Sequence, residues 1–194
     1  MSNQQVESIK IQINDYVYEI PSSWEQVTLE QYIDLDLYRE ELTPIRLLSI
    51  LTRLSYDVLS NLPCDEFILK VMPKLDWIGE QYDVFSAKRK REIQIGNYLF
   101  DTIIDVGKER LGQKLYMQQL VNNAMKNKIN HSLLIAPVIA NYYAPYVHPE
   151  KKWNEQHIKD FEKMVMKMPM VDAYPEANFF LNGYIVFQKK KQNH

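Results

Sequence analysis

Hydrophobic and polar residues alternate in two short stretches of the chain, 11–20 and 93–102. Alternation with a period of two is typical of a half-buried β-strand. Each stretch has two residues at its centre that tolerate a positive φ, Asn-Asp in the first and Gly-Asn in the second. Such a pair between two β-rich runs is typical of a β-hairpin. The pattern therefore predicts one hairpin over 8–20 and another over 92–104.

The two stretches also resemble each other in sequence. Aligning Ile11 with Ile93 gives an offset of 82 residues (93 − 11). At this offset Ile, Gln, Ile and Tyr are identical, and most other positions carry similar residues. Two further blocks match, 29–33 with 111–115 at the same offset and 43–47 with 132–136 after a slip of seven residues. We therefore expect two diverged copies of one hairpin–helix–helix unit.

Signals for helices follow each predicted hairpin. Residues 28–31 (Thr-Leu-Glu-Gln) have the pattern of a capping box and predict a helix that ends near Tyr38. The Thr-Pro pair at 43–44 predicts the start of a second helix, which is apolar on most sides and is therefore expected to be buried. In the second copy the corresponding helices are predicted at 113–126 and 132–143.

Outside these matched blocks, a short turn of helix is predicted from Ser55 to Pro63, and three longer helices are predicted as well. One begins near Asp65 and is expected to kink or break at Pro73. In the tail, Asn154 can cap a helix that ends at Pro169, and a last helix is predicted from Pro175. The chain is thus predicted to be mainly α with two β-hairpins, an α+β fold made of a duplicated hairpin–helix–helix unit and C-terminal helices.

This pattern divides the chain into three parts. The first hairpin–helical repeat is placed at 7–79, the second at 91–149, and a C-terminal helical extension at 150–194. All three could also pack as one compact domain, since 194 residues are enough to bury a single core.

Composition narrows the class of protein. With 46% hydrophobic and 25% charged residues the chain is globular, and its net charge of −2 does not favour binding to nucleic acid or to an anionic membrane. Cys64 is the single cysteine, so an internal disulfide is excluded and a reducing compartment is expected. The chain start lacks the pattern of a signal peptide, and no apolar run approaches the length of a membrane span. We therefore expect a protein made in a cytoplasm.

The sequence offers no set of residues suited to catalysis. The spacing of His148 and His157 fits no common zinc motif, and Cys64 has no evident partner base. Phosphate-binding loops and nucleophile motifs are absent from the sequence. The basic run 88–91 could contact phosphates, but a solvated linker explains it as well. We predict a protein that is not an enzyme, with no catalytic, cofactor-binding or metal-binding residues and without specific nucleic-acid binding.

One segment carries a resemblance to known proteins. Residues 20–32 have the form IP-x-x-W-x-x-V-T-L-x-Q-Y, and 112–116 (Gly-Gln-Lys-Leu-Tyr) stand where a degenerate copy, G-Q-x-x-x-L, would be expected. This arrangement resembles small proteins of tailed bacteriophages of Bacteroidetes, including crAss-like phages. The resemblance covers about 11–54 and 93–143 and leaves out the tail.

The resemblance implies a structural role in a virus particle. Such proteins are found in the neck or tail of the virion, or act in tail assembly. We therefore expect a virion structural protein, a subunit of a neck, connector or tail ring, that is made in the host cytoplasm, oligomerises and binds other phage structural proteins. The alternative is a tail-assembly chaperone that is absent from the mature virion.

The last predicted helix is the expected contact surface. Its aromatic residues are Phe179, Phe180, Tyr184 and Phe187. This is more apolar surface than one helix stripe needs, so a neighbouring subunit or partner protein is expected to cover the excess.

Overall fold

A computed structural model describes residues 8–13, 16–63, 71–79, 82–84, 86–102, 109–147, 149 and 152–192. It is mainly α-helical with two antiparallel β-hairpins, as the sequence predicts. The strands are β1 (Ile9–Ile13), β2 (Tyr16–Ile20), β3 (Glu92–Ile95) and β4 (Tyr98–Asp101). The α-helices are α1 (Leu29–Leu37), α2 (Pro44–Thr52), α3 (Tyr56–Ser60), α4 (Leu111–Asn127), α5 (Ile135–Val147), α6 (Glu155–Val165) and α7 (Met170–Gln192). Tighter 3-10 helices occupy Trp24–Gln26, Arg39–Glu41, Met72–Gly79 and His131–Leu134.

The described residues form two compact units. The first contains the residues up to Val27 and Gln31–Asp83, and the second contains Thr28–Glu30 and the chain from Val84 onward. Each unit holds one hairpin. The segment predicted as a C-terminal extension belongs to the same unit as the second hairpin.

The core of the first unit joins its hairpin to α2 and α3. Ile11 and Ile20 from the hairpin pack with Leu48 and Leu51, which lie one turn apart on α2. The predicted start of α2 is confirmed, because the Thr43 hydroxyl accepts a hydrogen bond from the Arg46 amide at 3.3 Å. This cap satisfies one of the amides that a helix leaves without an intrahelical acceptor.

The core of the second unit is built around α5. Nine of its 13 residues are buried, and it contacts α4, α6 and α7. Pro137 lies within this buried helix, but it is the third helical residue, where a backbone N–H has no intrahelical acceptor and a proline is tolerated. The predicted buried helix is therefore confirmed, with a 3-10 turn at its start.

The two hairpins have the same register. Ile11 pairs with Tyr18 in the first, and Ile93 pairs with Phe100 in the second, so both partners are shifted by 82 residues. The turn of the second hairpin places Gly96 at a φ of 58°, the left-handed conformation predicted for it. This equivalence is what a duplication requires, but the duplication itself stays a prediction.

Buried glutamines occupy the third position of the helix that follows each hairpin. Gln31 in α1 donates its side-chain amide to the Leu51 carbonyl at 2.9 Å. Gln113 in α4 donates to the Asn141 carbonyl at 2.8 Å, and its own side-chain oxygen accepts from the Arg110 amide. Gln31 thus fixes α1 to α2, and Gln113 fixes α4 to α5.

We expect Gln113→Ala to lower the free energy of unfolding by about 1–3 kcal/mol, because the Asn141 carbonyl loses its donor in a buried place and the partly buried Arg110 amide loses its acceptor. Urea unfolding measures the loss, and Gln118→Ala on an exposed position of the same helix is the control. Gln31→Ala should cost a similar amount in the first unit. A loss for Gln113→Ala as small as that of the control would contradict the role assigned to this amide.

Two sequence predictions differ from the structure, and one further prediction is not tested by it. The helix expected to run through Pro73 is a 3-10 helix over Met72–Gly79, and its predicted start near Asp65 lies outside the described residues. The last helix begins at Met170 and continues through Pro175. A proline in a helix costs one hydrogen bond, and here the surrounding residues are buried, so packing outweighs that loss.

Candidate functional site

The aromatic residues predicted as a contact surface have different environments. Phe180 has 0% of its surface exposed and Tyr184 has 5%, while Phe179 is half-buried. The side chain of Phe187 lies outside the described part of the chain. Phe180 stacks on Tyr142 of α5, with ring centroids 3.9 Å apart and planes 6° from parallel.

This chain itself therefore covers Phe180 and Tyr184. The sequence shows that α7 has more aromatic area than one stripe requires, but α5 carries a matching aromatic pair, Tyr142 and Tyr143, that packs on Phe180. Among the described residues of the predicted surface, Phe179 is the one that keeps a larger exposed part. The contact role of these aromatic residues stays a prediction.

A fully buried carboxylate lies one turn before these aromatics on α7. Glu176 accepts two hydrogen bonds from the Arg89 guanidinium, Nε to Oε2 at 2.5 Å and a terminal nitrogen to Oε1 at 2.7 Å. The Tyr143 hydroxyl donates a third to Oε1 at 2.5 Å. The Glu176 side chain has 0% exposure, so these three bonds replace the water that the carboxylate would otherwise bind.

Arg89 also interacts with an aromatic ring in addition to its ion pair with Glu176. Its guanidinium lies over the ring of Phe179, 3.7 Å from the centroid, in a cation–π contact. Burial alone would lower the pKa of Arg89, but hydrogen bonds from its guanidinium to Glu176 and the charge of that carboxylate outweigh it and raise the pKa. The next residue, Lys90, pairs with Asp172 at 2.6 Å. Two residues of the basic run 88–91 are therefore ion-paired with α7, so the run is not a freely solvated linker.

Two further tyrosine–carboxyl pairs occur in the second unit. The Tyr142 hydroxyl donates to Glu109 at 3.0 Å, and the Tyr116 hydroxyl donates to Glu162 at 3.1 Å. Burial raises the pKa of both carboxyls, and the tyrosine hydrogen bonds only partly offset it. Burial also raises the pKa of both tyrosines. Raised pKa values occur in structural networks as well as in active sites, and each pair here joins two segments of the second unit that are distant in sequence.

Of the residues considered for catalysis or metal binding, Cys64 and His148 lie outside the described residues, and His157 is half-buried near the start of α6. A further histidine, His131, packs on the Tyr174 ring with centroids 5.8 Å apart. Within the described ranges, no group of three His, Cys, Asp or Glu residues could hold a metal ion.

The first unit has an open cleft of about 470 Å³ that the sequence did not reveal. The exposed face of α2 forms one wall, with Arg46 and Arg53 two helical turns apart. Arg46 lies over the Tyr38 ring, 4.3 Å from its centroid, and Arg53 is bonded to Asp34 at 2.6 Å. Because Asp34 and Arg53 are 19 residues apart, no local pattern could have predicted this pair.

Both hairpins expose an apolar pair at the start of their second strand. Tyr16 and Val17 are 68% and 62% exposed, and Tyr98 and Leu99 are 39% and 68% exposed. The two pairs occupy equivalent positions at the offset of 82 residues. We call these four residues the hairpin tips. The sequence comparison aligns these positions but gives no sign that they are exposed.

The comparisons with known proteins add no relative. Neither the protein-family models, nor the curated proteins, nor the solved structures gave a match to this chain. Among the helices that the structure describes, none has the length and apolar character required to cross a membrane.

Proposed function

We propose that this chain is a structural protein of a tailed bacteriophage, a subunit of a neck, connector or tail ring, and that it acts by binding other copies of itself and other structural proteins. The sequence resemblance of 20–32 motivates the choice of a phage protein. The exposure of the hairpin tips is the observation that supports an assembly role.

The aliphatic residues of the hairpin tips, Val17 and Leu99, lie on the face of each hairpin that should be polar, whereas Tyr16 and Tyr98 pair with Ile13 and Ile95 on the opposite face. Successive residues of a strand point to opposite faces, and the buried face is marked by Ile11 in the first hairpin and Ile93 in the second. Val17 pairs with Gln12, and Leu99 pairs with Gln94, on the other face. With 62% and 68% of their surface exposed, Val17 and Leu99 contribute little to the core of their own unit.

A single exposed apolar residue is common and needs no explanation. Here the same aromatic–aliphatic pair is exposed at the same register position of both hairpins, which favours a shared use. In the part of the chain described, each sheet has two strands, so no further described strand pairs with their outer edges. Strand addition at such an edge, with exposed side chains supplying specificity, is a common mode of protein recognition.

The double variant Val17→Thr and Leu99→Thr tests this proposal. Threonine keeps the strand preference and removes most of the apolar surface, so the variant should fold but lose self-association. Size-exclusion chromatography with light scattering measures the assembly state. Met125→Gln, which changes an exposed apolar residue on α4, is the control and should assemble like the unchanged protein.

Two results would contradict the proposal. One is an unchanged assembly state in the double variant. The other is absence of the chain from purified virus particles analysed by mass spectrometry, which is the result expected of an assembly chaperone.

A further inference from the structure

The cleft of the first unit has a cation that no described carboxylate neutralises. Arg53 is paired with Asp34. The guanidinium of Arg46 instead makes a cation–π contact with the face of Tyr38, and no described carboxylate pairs with it. A guanidinium stacked on a ring keeps its N–H donors free at its edge, in the fork that fits a carboxylate. The stack also holds Arg46 in place before any ligand arrives.

The rest of the cleft is suited to an apolar group. Ile50 and Leu54 line it beside the arginines, and Tyr56, which is 51% exposed, lies at the start of α3. The volume of about 470 Å³ lies within the range of about 300–1,000 Å³ that small-ligand sites occupy. The lining is mixed, with arginine, aspartate and serine side chains beside these apolar residues.

The backbone of Arg53 is in an unusual conformation. It has a φ of 62°, a left-handed value that a residue with a side chain adopts at some cost, and it ends α2 where glycine is usual. Arginine at this position places its guanidinium on Asp34 at 2.6 Å. The ion pair fixes one end of the cleft and uses up the charge of Arg53.

We propose that this cleft binds a monocarboxylate carried on an apolar or aromatic body, with the carboxylate on the guanidinium of Arg46 and the body against Ile50 and Tyr56. The inference stands apart from the assembly role, because it concerns a small ligand in solution. The charge balance favours a single negative charge. Asp34 lies in the cleft, and Glu40 and Glu41 follow Tyr38 closely in the chain, so a phosphate with nearly two charges is repelled more strongly.

Titration of the full chain with phenylacetate tests the proposal. Nuclear magnetic resonance of the nitrogen-labelled protein at physiological salt should show shifts at the amides of Arg46, Ser49 and Ser55 that saturate in the millimolar range. Phenylacetamide, which has the same body without the charge, should bind at least about tenfold more weakly, and phenyl phosphate should also bind more weakly than phenylacetate.

Variants test whether the guanidinium of Arg46 binds the carboxylate specifically or whether any positive charge on the protein attracts it. Arg46→Gln should weaken phenylacetate binding about tenfold or more, and Arg46→Lys should weaken it by less, because lysine keeps the charge and loses the planar fork. Arg91→Gln, which removes an exposed arginine of the second unit, should leave binding unchanged. The proposal is overturned if phenylacetate gives no saturable shifts, if phenylacetamide or phenyl phosphate binds as tightly, or if Arg46→Gln binds as well as the unchanged protein.

Discussion

Replacing Glu176 by alanine is expected to lower the free energy of unfolding by about 3–5 kcal/mol, because it leaves a charged partner without its counterion in a mostly buried place. Arg89 keeps 19% side-chain exposure in the intact pair, so little water can replace the lost carboxylate. The Tyr143 hydroxyl loses its acceptor at the same time. The loss can be measured by urea unfolding.

A matched control is available on α6. Glu155 pairs with Lys159 at 3.0 Å, but both side chains are more than half exposed, at 53% and 55%. Glu155→Ala should therefore change stability by less than about 1 kcal/mol. Hydrogen exchange at the amides of α5 should accelerate in Glu176→Ala and stay unchanged in the control, since Tyr143 lies on α5.

A combined variant tests the cause of the loss. Changing Arg89 to Met, Glu176 to Leu and Tyr143 to Phe removes every charged and hydroxyl partner together, and such replacements of buried ion pairs are often neutral or stabilising. The triple variant should therefore recover much of what Glu176→Ala loses. If Glu176→Ala behaves like the exposed control, the buried cluster does not stabilise the second unit.

Local patterns predicted much of the secondary structure, because the interactions that start helices are local. Thr43 caps α2 through the amide three residues later, and Asn154 caps α6 through the amide of Gln156 at 2.8 Å. The hairpin of Ile93 follows from alternation and from a turn glycine in the same few residues. Such signals need no knowledge of the rest of the fold.

The ion pair of Arg89 and Glu176, the cleft and the burial of the α7 aromatic residues were not predictable from local patterns. Arg89 and Glu176 are 87 residues apart, and the run 88–91 presents four neighbouring cations without indicating which of them pairs. The cleft depends on the bond between Asp34 of α1 and Arg53 at the end of α2, which no spacing along one helix reveals. The same limit explains the aromatic residues of α7, since their number is visible in the sequence but the ring of Tyr142 that covers Phe180 is not.

Phe180→Ala is expected to lower the free energy of unfolding by about 3–5 kcal/mol, the usual cost of removing a buried phenylalanine ring. The ring has 0% exposure, lies flat on Tyr142 and meets the edge of Tyr143. Alanine would leave a cavity between α5 and α7, because neighbouring side chains move only partly into such a space.

The same variant separates a core role from an interface role. A ring that anchors a partner protein would, when removed, change the assembly state and leave the stability of the unassembled chain nearly unchanged. Urea unfolding at low protein concentration, compared with Asn182→Ala at an exposed position of the same helix, decides between them. The control should stay within about 0.5 kcal/mol of the unchanged protein. A loss below about 1 kcal/mol for Phe180→Ala, together with a lower assembly state, would show that Phe180 serves the interface, because a ring enclosed by Tyr142 and Tyr143 cannot be removed from a core so cheaply.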